Sequence, residues 1–367
     1  MHGGDHAARL AAAQREAAAR GVDALLVTPG PDLQYLVGYD AVPLERLTCL
    51  VVPATGEPVL VAPRLEVLAA QASPVGSLGL AIRSWGELDD PYALVASQVP
   101  EAARVGLDNH MWAEKVLALR AAMPEVEQVL AGPVLAALRM RKGPDEVQAL
   151  LAAGAAIDRV HAAVPGLLRP GRTEREIGAD IAELILEAGH VRVDFIIVGS
   201  GPNGASPHHE VSDRMLESGD VVVVDIGGTM PDGYRSDCTR TYALGAVPDE
   251  FVASYGVLQQ AQQTAVDFAR AGVTCEGVDR AARDVLESAG MGDLFIHRTG
   301  HGIGLETHEE PYIVAGNTLV LDAGMAFSIE PGFYVDGRYG ARIEDIVIAT
   351  EDGVLVANHQ PRELVIV

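Results

Sequence analysis

GDVVVVDIGGTMPDGYRSDCTRT, Gly219 to Thr241, is the stretch whose reading decides the fold. Val221 to Val224 are four consecutive β-branched residues, the pattern of a strand covered on both faces, and they run directly into Asp225. Gly227, Gly228, Pro231 and Gly233 are expected to turn the chain, and Tyr234 to Tyr242 to return as a strand that brings Asp237 back towards Asp225. Two carboxylates facing each other in an apolar setting are costly unless one is protonated or a cation lies between them.

The pattern recurs about a hundred residues later. Gly324 to Glu330 (GMAFSIE) repeats the step from Gly219 to Asp225. Pro331, Gly332 and Gly337 are expected to turn the chain, and Arg342 to Ile348 (RIEDIVI) to return with Glu344. The paired acids fall 12 (237 − 225) and 14 (344 − 330) residues apart. Two acid-bearing hairpins in matched order read as an internal repeat that gathers four carboxylates at its axis.

Between the hairpins lies HRTGHGIGLETHEEP, with His297, His301 and His308 among glycines that let the backbone come close to whatever the imidazoles bind. His208 and His209 follow Pro207 in a second glycine-rich loop, so two short loops hold five of the eleven histidines. For His209 the expectation is a side chain pointing to solvent, and Asp232, Glu306, Glu309 and Glu310 read as solvated loop acids. Four carboxylates and an imidazole without a thiolate suit Mn²⁺, Co²⁺ or Zn²⁺. Four acids exceed the needs of one ion and fit a pair, an arrangement used for hydrolysis. The loop spacing of a calcium hand is absent.

VVVDIGG…SDCTRT, HRTGHGIGLETHEEP, SIEPGFY and RIEDIVI resemble the motif set of the pita-bread metallopeptidases, which include proline dipeptidases, aminopeptidases P and methionine aminopeptidases. The resemblance covers essentially the whole chain. It implies two divalent ions, Mn²⁺ foremost, held by Asp225, Asp237, His301, Glu330 and Glu344, with Asp237 and Glu344 bridging and Glu330 also the acid/base. It further implies that His208, His297 and His308 bind substrate and steady the tetrahedral intermediate. Arg342 and Tyr334 resemble residues that orient ligands or shuttle protons, with plain structural hydrogen bonding the alternative. A homodimer is implied by the resemblance alone.

A chain of 367 residues is long for one core and predicts two domains. The boundary is expected at Met140 to Pro144, giving an N-terminal domain over 1–140 and a catalytic domain over 141–367. Met1 to Gly4 reads as a loose tail and His6 to Arg20 as a helix ended by Gly21. Strands are expected at Ala24 to Thr28, Thr48 to Val52 and Val59 to Ala62, opening a smaller α/β domain that resembles the N-terminal domain of prolidases, creatinases and aminopeptidases P. In the second domain Asp145 to Val164, a helix capped by Thr173 and Glu176, Phe251 to Ala271 and Val278 to Ala289 read as helices. With the hairpins they give an α+β pita-bread fold with a pseudo-twofold repeat.

The balance of 27 basic and 51 acidic residues, a formal net charge of −24, argues against nucleic acid or an anionic membrane as a partner. Three scattered cysteines support neither a disulfide framework nor a thiolate metal site. No apolar run of about 18 residues and no signal peptide are read, so a cytoplasmic protein is expected. The implied activity is a metal-dependent exopeptidase for the Xaa-Pro bond. An Xaa-Pro dipeptidase is favoured over an aminopeptidase P, and both over a metal-free creatinase-type hydrolase or a non-catalytic binding module.

Overall fold

The computed structural model describes residues 6–367, and the expected tail at Met1 to Gly4 lies outside them. The chain divides into two compact units, Met1–Arg139 and Met140–Val367.

The first unit runs α1 (His6–Ala19), β1 (Ala24–Val27), α2 (Pro31–Val37), β2 (Cys49–Pro53), β3 (Val59–Pro63), α3 (Val67–Ala72), α4 (Val75–Leu78) and β4 (Ala81–Trp85). It continues with α5 (Pro91–Ala96), β5 (Arg104–Leu107), α6 (Ala113–Ala122), β6 (Glu127–Leu130) and α7 (Gly132–Arg139). Its sheet has the order β4-β3-β2-β1-β5-β6, antiparallel only where β2 meets β1 and β3. Ala24, Leu26, Cys49, Val51, Val61 and Val105 form the centre of its core. Gly21 ends α1 at φ +66°, a conformation that costs a residue without a Cβ little.

The second unit starts with α8 (Pro144–Leu167) and α9 (Glu174–Glu187), followed by β7 (Arg192–Ser200), β8 (Val221–Thr229) and β9 (Cys238–Ala243). Then α10 (Asp249–Phe268) and α11 (Cys275–Ser288) precede β10 (Gly300–Gly302), β11 (Glu309–Ile313), β12 (Ala326–Ile329), β13 (Gly332–Val335), β14 (Tyr339–Arg342) and β15 (Asp345–Ala349). Short strands β16 (Val354–Val356) and β17 (Val365–Ile366) close the chain. One sheet has the order β17-β9-β8-β7 and the other β11-β10-β12-β15-β16, with β13 and β14 as a separate ladder.

The repeat is visible in this order: a helix pair then β7-β8-β9, and a helix pair then β10-β12-β15. Both second helices are capped by threonine, Thr173 accepting from the Glu176 N–H and Thr274 from the Gly277 N–H. Thr173 also forms the full capping box with Glu176.

Period two along the strands places the acids. Val222, Val224 and Ile226 pack with Ile157, Ile177 and Ile181 of the helices, which leaves Asp225 on the opposite face. Phe327, Ile329 and Val347 likewise pack with Val278 and Ala282, leaving Ser328 on the opposite face, where its hydroxyl meets Glu330. Burying each of the valine, isoleucine and phenylalanine side chains stabilises by about 1.5–3 kcal/mol, so the helix-covered faces can carry an opposite face that is expensive to fold.

Three local expectations are corrected. Gly227 and Gly228 do not turn the chain but lie inside β8, paired with Phe195 and Val193. A Cβ on Gly227 would come within 2.5 Å of both the Phe195 ring and the Ser236 carbonyl, so close packing and not a turn requires the glycine. The turn falls at 231–233, with Gly233 at φ +91°, and β9 begins only at Cys238. In the second hairpin Gly332 is also a strand residue, and the return is split into β14 and β15. Pro331 has no N–H to continue the ladder, and the Glu344 N–H instead donates to Thr239 O of the first half, at 3.1 Å.

Helix α8 is, by length and composition, apolar enough to cross a membrane, a feature the search for an uninterrupted apolar run passes over. Half of its most apolar window is buried inside the protein, and Ile157, Val160 and Val164 join the sheet core, so the helix is accounted for as a core element.

Candidate metal centre

Asp225 lies within β8 opposite Thr239, and Asp237 stands two residues before that partner, so strand alternation sets both acids on one face, diagonally disposed. Ile329 pairs with Asp345, so the next residues in register, Glu330 and Glu344, leave their strands side by side. All four acids line one cavity together with His301. Asp237, His301 and Glu344 offer ligand atoms within 4.8 Å of one another. Glu330 joins them through His301, whose Nε2 lies 3.1 Å from Glu330 Oε1 and 3.7 Å from Asp237 Oδ2. Asp225 stands at the edge of this group, with Oδ2 held by Arg342 at 2.6 Å.

The electrostatics fit a cation site. Burial, and then the charge of Asp225, raise the Asp237 pKa well above the usual carboxylate value; burial and the charge of Asp237 do the same to Glu344. Burial would also raise Glu330, but its hydrogen bond from His301 outweighs that and holds it at about 2. Burial would lower the His301 pKa, and the bond and charge of Glu330 raise it instead. Asp225 Oδ1 is buried and has no hydrogen-bond partner. An unpaired carboxylate oxygen beside three further acids and one imidazole is a donor set of the kind divalent cations take. The orientation of His301 agrees, since Nδ1 donates to Gly302 O at 3.1 Å, so that a cation replacing the Nε2 proton would meet the Nε2 lone pair directed at the acids.

Behind the acids runs a chain of hydrogen bonds. Arg342 Nη1 donates to the Tyr334 hydroxyl at 2.7 Å, and that hydroxyl donates to His297 Nε2 at 2.9 Å. His297 Nδ1 is itself a donor, to Arg298 O at 2.7 Å. Burial lowers the His297 pKa and raises that of Tyr334 to about 12, so both stay neutral near pH 7. Tyr334→Phe should lower the unfolding midpoint by a few degrees, because Arg342 Nη1 and His297 Nε2 lose a buried partner, and lower kcat about tenfold, the effect of one hydrogen bond of about 1.4 kcal/mol. Steady-state kinetics beside a thermal melt check this; an unchanged kcat contradicts a catalytic part for the chain.

The cavity measures about 1130 Å³. Besides the acids it is lined by Phe195, Ile196, Ile197, His208, His297 and His308. The His308 ring lies edge-on to His301 with centroids 4.1 Å apart. Desolvation, then the neighbouring His301, lower its pKa to about 4, which keeps it neutral at pH 7. His208 is exposed to the cavity, and no side-chain hydrogen bond engages it. The structure therefore sets the five expected ligands, His208, His297, His308 and Arg342 around one cavity, with Tyr334 hydrogen-bonded to Arg342 and His297.

Two neighbours behave otherwise than expected. His209 does not point to solvent: its Nε2 lies 2.7 Å from Glu174 Oε2, because Glu174 is buried and needs donors. Glu309 is not a solvated acid but is buried against the Lys142 ammonium, both side chains less than a tenth exposed. Asp232 is exposed, as expected.

Several supporting residues went unread. Thr239 Oγ1 donates to Glu344 Oε2 at 2.7 Å, and Ser328 Oγ donates to Glu330 Oε1 at 2.9 Å. Arg240 binds Asp345 Oδ1 and Glu344 O, each at 2.7 Å. The only local signal is their position beside the ligands, in TRT and RIED.

Residues 148–351 match the model of metallopeptidase family M24, and residues 9–141 match the creatinase/prolidase N-terminal domain. The chain belongs to metallopeptidase family M24. It is 55% identical over 363 residues to the probable dipeptidase PepE of Mycobacterium tuberculosis, covering 99% of this chain and 96% of that one. It is 37% identical to the Xaa-Pro dipeptidase of Lactobacillus helveticus, covering 91% and 92%. Among solved structures, the prolidase from Thermococcus sibiricus superposes with a TM-score of 0.93 at 35% identity, covering 99% of this chain and all of that one. As an M24 metallopeptidase the chain is an enzyme with a divalent-metal centre, and its pita-bread domain is accompanied by a creatinase/prolidase N-terminal domain.

Proposed function

We propose that the protein is an Xaa-Pro dipeptidase that holds two divalent ions, Mn²⁺ foremost, between Asp225, Asp237, His301, Glu330 and Glu344. The observation that carries this reading is the meeting of four buried or half-buried carboxylates with His301 on one wall of a cavity large enough for a dipeptide. The names of its M24 relatives, dipeptidases and a prolidase, support the substrate class. Bound ions of this kind supply an activated water near neutral pH and polarise the scissile carbonyl.

The chain's own residues do the rest. Glu330, ionised and hydrogen-bonded by Ser328, accepts a proton from the attacking water at a carboxylate oxygen and returns it to the proline nitrogen as the bond breaks. That nitrogen has no hydrogen of its own, so the delivery is what makes it a leaving group. Neutral His308 provides an N–H group beside the carbonyl oxygen where negative charge develops, while His297, engaged by Arg298 O and the Tyr334 hydroxyl, steadies that hydroxyl at the wall of the site. Phe195, Ile196 and Ile197 give an apolar wall for the proline ring, and His208 closes on the peptide from the loop. Arg342 fixes the orientation of Asp225.

The test is hydrolysis of an Xaa-Pro dipeptide beside an Xaa-Pro-Yaa peptide, each by metal-stripped protein resupplied with Mn²⁺. Cleavage confined to the dipeptide is the expected result. Preferential cleavage of the longer peptide moves the assignment to an Xaa-Pro aminopeptidase, and cleavage of neither overturns it.

A further inference from the structure

Glu174 is the first residue of α9, and its side chain is completely buried. Both of its carboxylate oxygens are saturated by donors from one segment. Oε1 accepts from the Ser200 N–H at 2.8 Å, the Ser200 hydroxyl at 2.6 Å and the Asn203 amide at 3.0 Å. Oε2 accepts from the Ser212 N–H at 3.1 Å, the Ser212 hydroxyl at 2.6 Å and His209 Nε2 at 2.7 Å. One carboxylate thus gathers four residues between 200 and 212. Burial alone would raise its pKa, but these bonds and the helix N-terminus keep it ionised.

The segment from 206 to 211 has no strand or helix of its own. Among its described residues His209 is the only one whose side chain makes a hydrogen bond. On the other side of His208, the Pro207 carbonyl accepts from Arg342 Nη2 at 3.3 Å. His208 therefore sits between two anchors, one running to Arg342 at the acid cluster and the other to Glu174 at the helix start.

We propose that Glu174 and His209 form a clasp that holds the 206–211 segment so that His208 faces the peptide, which makes His209 a positioning residue for substrate. The inference rests on the dipeptidase reading for the part His208 plays, while the clasp itself does not. Without the His209 bond, the next tethers after His208 are Val211 against the core and Ser212 on Glu174, three and four residues on, and the ordering of the residues between has to be supplied by substrate binding. Its cost then appears in KM more than in stability, as about a tenfold rise, the scale of ordering one further residue's backbone on binding.

The test is a double-mutant cycle with two readouts. His209→Ala should raise KM for the cleaved peptide about tenfold, with metal content and unfolding midpoint near those of the parent protein. In a His208→Ala background the same change should add little, because nothing is left to position. His209→Gln, which keeps a side-chain N–H donor, should recover most of the loss. Independently of any substrate, amide hydrogen exchange over 206–212 should speed up in His209→Ala and stay slow in His208→Ala. Equal loss in both backgrounds, or exchange unaltered by His209→Ala, overturns the clasp. Failure of the chain to cleave Xaa-Pro dipeptides at all, with the exchange result as expected, would refute the dipeptidase reading and leave the clasp standing.

Discussion

Glu344→Gln should lower metal-dependent hydrolysis about a thousandfold while leaving the fold intact. A metal centre contributes several kcal/mol of charge stabilisation to the transition state, and about 1.36 kcal/mol corresponds to each decade of rate. Glu344 belongs to the tight group with Asp237 and His301, is 1% exposed, and accepts from Thr239, so its replacement removes an acid from the middle of the site. The stability of the metal-free protein should move the other way. Burial, with the charges of Asp237 and Glu330, raises the Glu344 pKa well above its unfolded value. A group raised in this way has no effect where both states are protonated, and it loses stability as pH rises above the unfolded carboxylate range. Metal-free Glu344→Gln should therefore match the parent protein at about pH 3–4 and exceed it at pH 7, with the metal-induced rise in unfolding midpoint largely gone. Thermal melts with and without chelator check the second part. Full activity in the variant would contradict its place in the site.

Arg240→Ala should have the largest effect on stability, about 3–5 kcal/mol, the usual consequence of removing one partner of a buried ion pair. Arg240 is 3% exposed and Asp345 is fully buried. Besides Asp345, the guanidinium binds the carbonyls of Thr239, Glu344 and Gln360, at 2.9, 2.7 and 2.8 Å. The substitution removes a charged donor from all three carbonyls, although Asp345 keeps Gln262 and Arg362. For a cooperative unit of this size the loss corresponds to a fall of roughly 6–20 °C in unfolding midpoint. Because Arg240 joins β9 to the start of β15, the two halves of the repeat meet through it, and metal affinity should fall with stability. Denaturant unfolding measures the first and metal titration the second; a change below about 1 kcal/mol would mean that the hydrophobic faces alone hold the halves together.

The acids and histidines were legible because each stands at the end of a short β-branched or glycine-flanked run, and the two acid pairs have similar spacings, 12 and 14 residues. Asp225 after VVVV and Glu344 before DIVI carry a local signal of burial. The glycines were misread for a physical reason: a glycine that turns the chain and one that lets a phenyl ring approach look alike in sequence. Only the position of Phe195 on the neighbouring strand separates them for Gly227. His209 and Glu309 were misassigned because their partners, Glu174 and Lys142, are 35 and 167 residues away, and no periodicity connects them. The same distance hid Arg240 and Asp345, which are 105 residues apart and act on Glu344 through its backbone. What strand pattern and turn chemistry encode locally was readable, and what long-range pairing of buried charges decides was not.

The most direct measurement of the central claim is a metal titration of chelator-stripped protein, following bound ions per chain by calorimetry and Xaa-Pro dipeptide hydrolysis in parallel. The account predicts no hydrolysis without metal, and recovery that tracks the binding of two divalent ions per chain. Hydrolysis that persists in the stripped protein, or recovery without any ion bound to the wild-type chain, would contradict it.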